Sequence, residues 1–537
     1  MKKSDTNLQR NIQVILITLF VAWFGVFHEA RAVSPAPDGG YPGGNTAEGQ
    51  NALLNLTSGA YNTALGYFSL QGDTTGNFNT AVGTGALFLN TATENTATGA
   101  GALLSNGSGA ENAATGAFAL FSNTTGYDNT ATGASALYSN LSGIQNTATG
   151  HLALYSNTAS YNTADGYDAL LNNTTGSPNS AFGWGALAAN ITGDYNTATG
   201  YAALYSNTIG NLNTADGDGA LYSNTEGNDN TANGTDALFG NTTGNDNTAD
   251  GLQALVSNTT GNYNVAIGAG ALFSNVNTNE NTAAGNGALY ANTGGANTAV
   301  GFHALFGNTS GVGNTALGDA ALANNTSGNV NTAIGDGAGI NVATASGVIC
   351  IGTVGADVSN SCYIGNIYGA SIDPATATGT FVDSAGKLGT TVSARRFKRD
   401  IQAMDRASEA ILSLKPVTFH YKSDVKGTPC FGLIAEDVEK VNPDLVVHDK
   451  NGELLTVRYD QVNAMLLNEF LKEHEGFLKE QRKVEAQEAT IAELRAGMET
   501  LAVTVKDQAA QIQRVSAKLE LQKPAAKKIA ANRRWGN

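Results

Sequence analysis

The chain has 537 residues, a length that ordinarily holds three or four domains, yet only 14% of them are charged and 65 are glycine. That is too little charge for plain disorder and too much glycine for an ordinary enzyme core. The net charge of −16 is uneven: residues 32–386 carry 22 acids and no Lys or Arg, so nucleic acid and anionic membrane are poor partners for most of the chain.

At the N-terminus, Lys2, Lys3 and Arg10 precede an apolar run from Val14 to Phe27, and Ala30-Arg31-Ala32 follows. This reads as a signal peptide over 1–32, ending in a small-x-small cleavage pattern. At 14 residues the run is short for a bilayer span of roughly 20 residues; a retained N-terminal anchor is the alternative. No other segment reads as a membrane span in the mature chain. The expected destination is secretion or the cell surface. Residues 33–44 form a linker.

From Asn45 a unit Asn-Thr-Ala-x-Gly-x-x-Ala-Leu-x-Ser-Asn-Thr-Thr-Gly-x-x recurs 18 times, up to the copy at Asn331. The period is 17 residues, and 16 in the copies at Asn79, Asn146 and Asn281. Seventeen residues are too few for a helical hairpin, and glycine twice per unit disfavours helix. Thr-Ala-x and Ala-Leu-x are expected to form two short strands, with Asn-Thr-Thr-Gly and the other glycine as turns. Each unit is then one coil of a parallel β-solenoid, rising about 4.8 Å per coil. Eighteen coils give a rod of about 85 Å over 45–341, and asparagines at equivalent turns are placed to form ladders.

The expected core is Ala at positions 3 and 8 and Leu at position 9, often followed by an aromatic, as in Phe88, Tyr138, Tyr155, Tyr205, Tyr222 and Tyr290. One thin coil buries little, so the Leu/aromatic row is expected to be shared between chains. The aromatics read as a packing row or as a ligand-binding stripe. Asp165, Asp216 and Asp250 at position 4 read as solvated acids, because the nonapeptide spacing of calcium solenoids is absent. No metal or cofactor is called for.

The repeat resembles the left-handed β-roll head of trimeric autotransporter adhesins. It departs from them in its longer period, and no membrane barrel is read downstream, so self-anchored autotransport is not expected.

Residues 342–391 read as a β-rich neck. "GVICIGTVG" (347–355) and "SCYIGNIYG" (361–369) are strands that end the rod, and "FVDSAGKLGT" (381–390) is a strand and tight turn. Cys350 and Cys362 pair if their strands are adjacent; otherwise they are small hydrophobes. With Cys430 they fit a secreted chain without a disulfide framework.

Cations then arrive together: Arg395, Arg396, Lys398 and Arg399, just behind Ser393. Beyond them the composition becomes that of an ordinary globular domain. A helix is expected around Ile401–Leu414, a strand in "PVTFHYK" (416–422), a strand and helix stopping before Pro443, and a strand and long helix over 452–474. Val484, Ile491, Met498, Val505, Ile512 and Leu519 take one seam of a heptad pattern over 484–522. Leu494, Leu501 and Val515 take the other, with Gln487 and Gln508 interrupting it. Residues 523–537 form a basic tail.

"SARRFKRDI", "FGLIAEDVEKVNPDLV" and "LLTVRYDQVNAMLL", in that order, resemble the C-terminal intramolecular chaperone of phage endosialidases and tailspikes, a self-cleaving family. The resemblance covers roughly 392–485. It implies a small α+β chaperone domain, Ser393 as nucleophile, Lys398 as base, and Val392–Ser393 as the scissile bond. Ala394 stands where the family often has a polar residue, which puts in question how the scissile carbonyl is held. Arg395, Arg396 and Arg399 would lower the affinity of Lys398 for its proton, or else form a solvated face or pair with Asp400, Glu436 and Asp437.

The whole reads as a secreted or surface homotrimeric, adhesin-like fibre with a trimerisation chaperone that releases itself by one autoproteolytic serine-peptidase event. Its partner is itself, with an extracellular ligand undefined by the sequence. A monomeric ligand- or ice-binding solenoid, and a protease acting on other chains, are the alternatives.

Overall fold

A strand buried on one face alternates its side chains, so Thr-Ala-x can send only its alanine inward. The computed structural model describes residues 41–522 apart from Thr376, Ser384 and Lys450, and in it every copy places this triplet so. The strands β1 (Thr46–Glu48) to β18 (Thr332–Ile334) stack in parallel, each paired with the next in register, as in Thr197↔Thr214 and Ala198↔Ala215. The central alanines from Ala64 onward are fully buried. The signal peptide, most of the linker and the basic tail lie outside the described residues.

The expected second strand is absent. Ala-Leu lies in turns, and the leucine takes a left-handed backbone, with φ of +52° at Leu204. Side-chain direction explains this: Ala203 and Leu204 are adjacent and both fully buried, which an alternating strand forbids. The left-handed bend costs roughly 1–2 kcal/mol. Burying the leucine returns about 1.5–3 kcal/mol, and its N–H donates to Ala220 O of the next coil at 3.0 Å. The leucine row is therefore completed inside one chain, not shared between chains as the composition suggested. The position-10 aromatics form half-buried stacks, such as Phe121–Tyr138–Tyr155 with centroids 5.1 and 5.0 Å apart.

Glycine at position 5 is enforced by the neighbouring coil. At Gly200 (φ +129°) an added Cβ would stand 2.4 Å from Gly217 O. Two rows of buried asparagine run the length of the stack. In the first, Asn213 N–H donates to Asn196 Oδ1 (3.0 Å) and Asn213 Nδ2 to Gly227 O (2.8 Å). In the second, Asn224 Nδ2 donates to Asn207 Oδ1 (2.8 Å) and to Gly227 O (3.0 Å). Asp73 takes an asparagine's place near the start of the second row, where burial pushes its carboxyl above the ordinary range.

The 16-residue coils lose their residue in the turn before the next asparagine. Strand register survives, with Thr147↔Thr163 still paired. The second ladder pays locally: Asn157 Nδ2 turns to Ala159 O (2.8 Å), and Asn140 Oδ1 is left buried without a hydrogen-bond donor.

Strands β19 (Ile349–Ile351) and β20 (Cys362–Ile364) extend the same sheet as its last two rungs. In the loop between them Asp357 accepts the N–H groups of Ala343, Thr344 and Ala345 at 2.9, 2.9 and 2.7 Å. Equivalent turns elsewhere donate to a carbonyl of the following coil, as Thr225 N–H does to Thr242 O. Asp357 thus substitutes for the coil that does not come, and those donors hold its carboxyl at a pKa of about 2. The strands of Cys350 and Cys362 are adjacent, but their register sets Cys350 opposite Tyr363 and Cys362 opposite Ile349. Cys350 is buried, Cys362 is exposed, and both are free thiols.

A second unit begins at Ile372. It opens with a hairpin of β21 (Phe381–Val382) and β22 (Leu388–Gly389). A 3₁₀ turn at Arg395–Phe397 and a 3₁₀ helix at Asp405–Ser413 follow. The strands β23 (Val417–Phe419) and β24 (Cys430–Gly432) pair antiparallel, and helix α1 (Ala435–Val441) ends ahead of Pro443 as its sequence requires. The hairpin of β25 (Val446–His448) and β26 (Leu454–Val457) leads into helix α2 (Tyr459–Leu521), 63 residues long. Among the described residues of this unit, Val438, Leu445, Val446, Val457 and Met465 form the buried apolar cluster. No helix among the described residues is long and apolar enough to cross a membrane.

Candidate functional site

Lys398 lies five positions after Ser393, and the 3₁₀ turn between them folds that distance up. Phe397 N–H donates to Ala394 O (2.9 Å) and Lys398 N–H to Arg395 O (3.0 Å). The chain doubles back so that Lys398 Nζ donates to Ser393 Oγ at 3.0 Å. A hydroxyl and an amine at that distance can exchange a proton, which nucleophilic attack by serine requires. Val392, Ser393 and Lys398 are all exposed in the single chain.

Two arginines of the cluster engage groups other than the lysine. Arg396 lies over the Phe397 ring, 4.7 Å from its centroid. Arg399 Nε stands 3.8 Å from Asp400 Oδ2, both almost fully exposed, a pair worth little in water. Asp437 is engaged by Lys440 at 2.9 Å, and this pairing holds its carboxyl below the ordinary range. Of the acids the sequence offered as partners, Asp400 is the one an arginine reaches among the described residues.

A second polar cluster escaped sequence reasoning. Ser408, fully buried, contacts Glu469 Oε1, accepts from Asn468 Nδ2 (2.7 Å) and lies 3.3 Å from Lys472 Nζ. Lys472 also pairs with Glu469 at 2.6 Å. The cluster resembles a serine–lysine site chemically, but burial closes it to substrate; it pins the Asp405–Ser413 helix to the start of α2. Only Glu469 and Lys472, three residues apart on a helix, were a sequence signal; Ser408 lies some 60 residues away.

Along α2 the heptad residues face outward without cover: Val484, Ile491, Leu494, Met498, Leu501, Val505, Ile512, Val515 and Leu519 are all exposed. Asp165, Asp216 and Asp250 are likewise exposed on the solenoid. No group of three or more His, Cys, Asp or Glu among the described residues is placed to hold a metal ion.

Neither a curated protein nor a solved structure matches the chain. Part of it is similar to a known family: residues 393–447, from Ser393 through the Lys398 turn and α1 to the start of β25, match the family described as chaperone of endosialidase.

Proposed function

We propose that this chain is a secreted or surface-displayed homotrimeric fibre, adhesin-like in build, whose C-terminal unit gathers three copies, sets their alignment and then cuts itself away. The observation that carries this reading is α2: nine heptad residues stand exposed on one chain, immediately downstream of the matched chaperone segment. Such a seam is covered when copies wind together as a coiled coil. Near-identical coils make slipped alignments close in energy, so an aligning device at one end has work to do before the rod sets.

Cleavage at Val392–Ser393 follows from the same turn. Ser393 Oγ attacks the carbonyl carbon of Val392 while Lys398 Nζ, as the free amine, takes the hydroxyl proton. The bond from that carbon to Ser393 N breaks, and the nitrogen receives the proton from Lys398. The ester left on Ser393 Oγ is hydrolysed by water, freeing the Val392 carboxylate and a fragment beginning at Ser393. A lysine serves as a base when it is desolvated or crowded by positive charge. The exposed pair of the single chain acquires that environment when copies close around it, which makes cutting report completed assembly.

The test is the mass of the expressed full chain, wild type beside Lys398→Ala, with light scattering for stoichiometry. A trimer with a fragment starting at Ser393 in wild type, intact in Lys398→Ala, is expected. A monomeric wild type overturns the fibre; an uncut trimer overturns the peptidase.

A further inference from the structure

The outward positions of the solenoid strands are not uniform. The third residue of each strand faces solvent, and through the middle of the rod it is polar apart from one residue, Phe182: Thr132, Thr149, Asp165, Thr199, Asp216, Asn233 and Asp250. At the next strand, Val265–Ile267, the row changes character. In-register pairing carries it through Ile267, Ala284, Val300, Leu317, Ile334, Ile351 and Ile364 without a polar residue. Apart from Ala284 these side chains are 37–47% exposed. Seven rungs at about 4.8 Å make an apolar ridge about 29 Å long, ending at the last strand of the sheet.

Scattered apolar residues on a surface need no explanation, but a contiguous ridge marks a contact. We propose that this ridge is where copies of the chain pack against one another along the C-terminal third of the solenoid, the remaining shaft standing free. The proposal rests on the homotrimer reading and adds its location. Charge decides the occupant: every copy carries acids and no base over 32–386, so copies can approach only where carboxylates are missing. The ridge contains none; Asp319 and Asp336 lie two residues beyond Leu317 and Ile334, past a glycine, and belong to its rim. Because all copies offer the same row, a closed ring uses it identically in each. The aromatic stacks are a poorer candidate, since their ring faces already cover one another.

Three-armed maleimide cross-linking of the full chain tests this, in a Cys362→Ser, Cys430→Ser background that leaves only buried Cys350. Ile334→Cys is compared with Thr132→Cys, the same outward position in the polar stretch. Ile351→Cys serves as a second ridge probe should Ile334→Cys lower the melting temperature. Expected is a trimer by light scattering, with covalent trimer at least tenfold more abundant for the ridge cysteine than for Thr132→Cys. A trimer with equal or no cross-linking at the two positions overturns the ridge while the homotrimer stands. A monomer removes both.

Discussion

In the solenoid, Leu204 and its equivalents are fully buried by their own chain, coil upon coil; in the C-terminal unit, a 63-residue helix buries only Met465 and leaves its heptad seam in water. The first region is complete as a single copy and the second is not. Contiguous uncovered apolar surface runs along the long helix and, within the solenoid, along the ridge that begins at Ile267. A thin coil of alanine and leucine looks too small to stand alone, but stacking gives each leucine two neighbours of its own kind, and the asparagine ladders satisfy the buried backbone that a narrow core exposes. The C-terminal unit, with ordinary composition, has five buried apolar residues in its cluster and a long helix searching for a mate.

Breaking the seam should have the largest effect. Ile491→Asp with Ile512→Asp places unpaired charge where copies would close, costing roughly 3–5 kcal/mol of association. Light scattering should then find monomers whose solenoid still melts cooperatively, below the trimer only by what the ridge contacts supplied. If the solenoid transition disappears with the trimer, the solenoid was never self-sufficient. Leu221→Ala sharpens the comparison from the other side: a cavity under a fully buried leucine should cost about 2–5 kcal/mol in the solenoid transition and leave stoichiometry unchanged.

The smallest effect concerns the end cap. The carboxyl of Asp357 is held at a pKa of about 2 against an ordinary 3.8, so it binds its proton less tightly folded than unfolded. Its contribution is present above about pH 4 and is lost as pH falls toward 2. Asp357→Asn should lower solenoid stability by about 1 kcal/mol at neutral pH. Melting curves of the two proteins should converge near pH 2; a constant gap would show that the cap does not act through its charge.

Local pattern was legible in the sequence and long-range closure was not. All 18 triplets, 15 of them Thr-Ala-x, were readable as strands because the period repeats the same environment, whereas Ser393 and Lys398 were singled out by a family resemblance and not by any pattern within the chain. Ala-Leu misled: in isolation it reads as strand, but closing a 17-residue loop required two consecutive inward side chains, which only a left-handed leucine provides. Asp357 and Ser408 were invisible for a different reason. One caps donors 12 to 14 residues upstream through an irregular loop, and the other meets partners some 60 residues away. Nothing periodic marks either.

Three coils of the solenoid are one residue short. They begin at Asn79, Asn146 and Asn281, four coils and then eight coils apart. The coil at Asn281 falls within the proposed ridge and the other two in the free shaft. Where copies meet along that ridge, a slip of one coil would set its narrow turn beside a full-width one. It would act like a single notch in a key, a mark by which otherwise equal rungs are told apart.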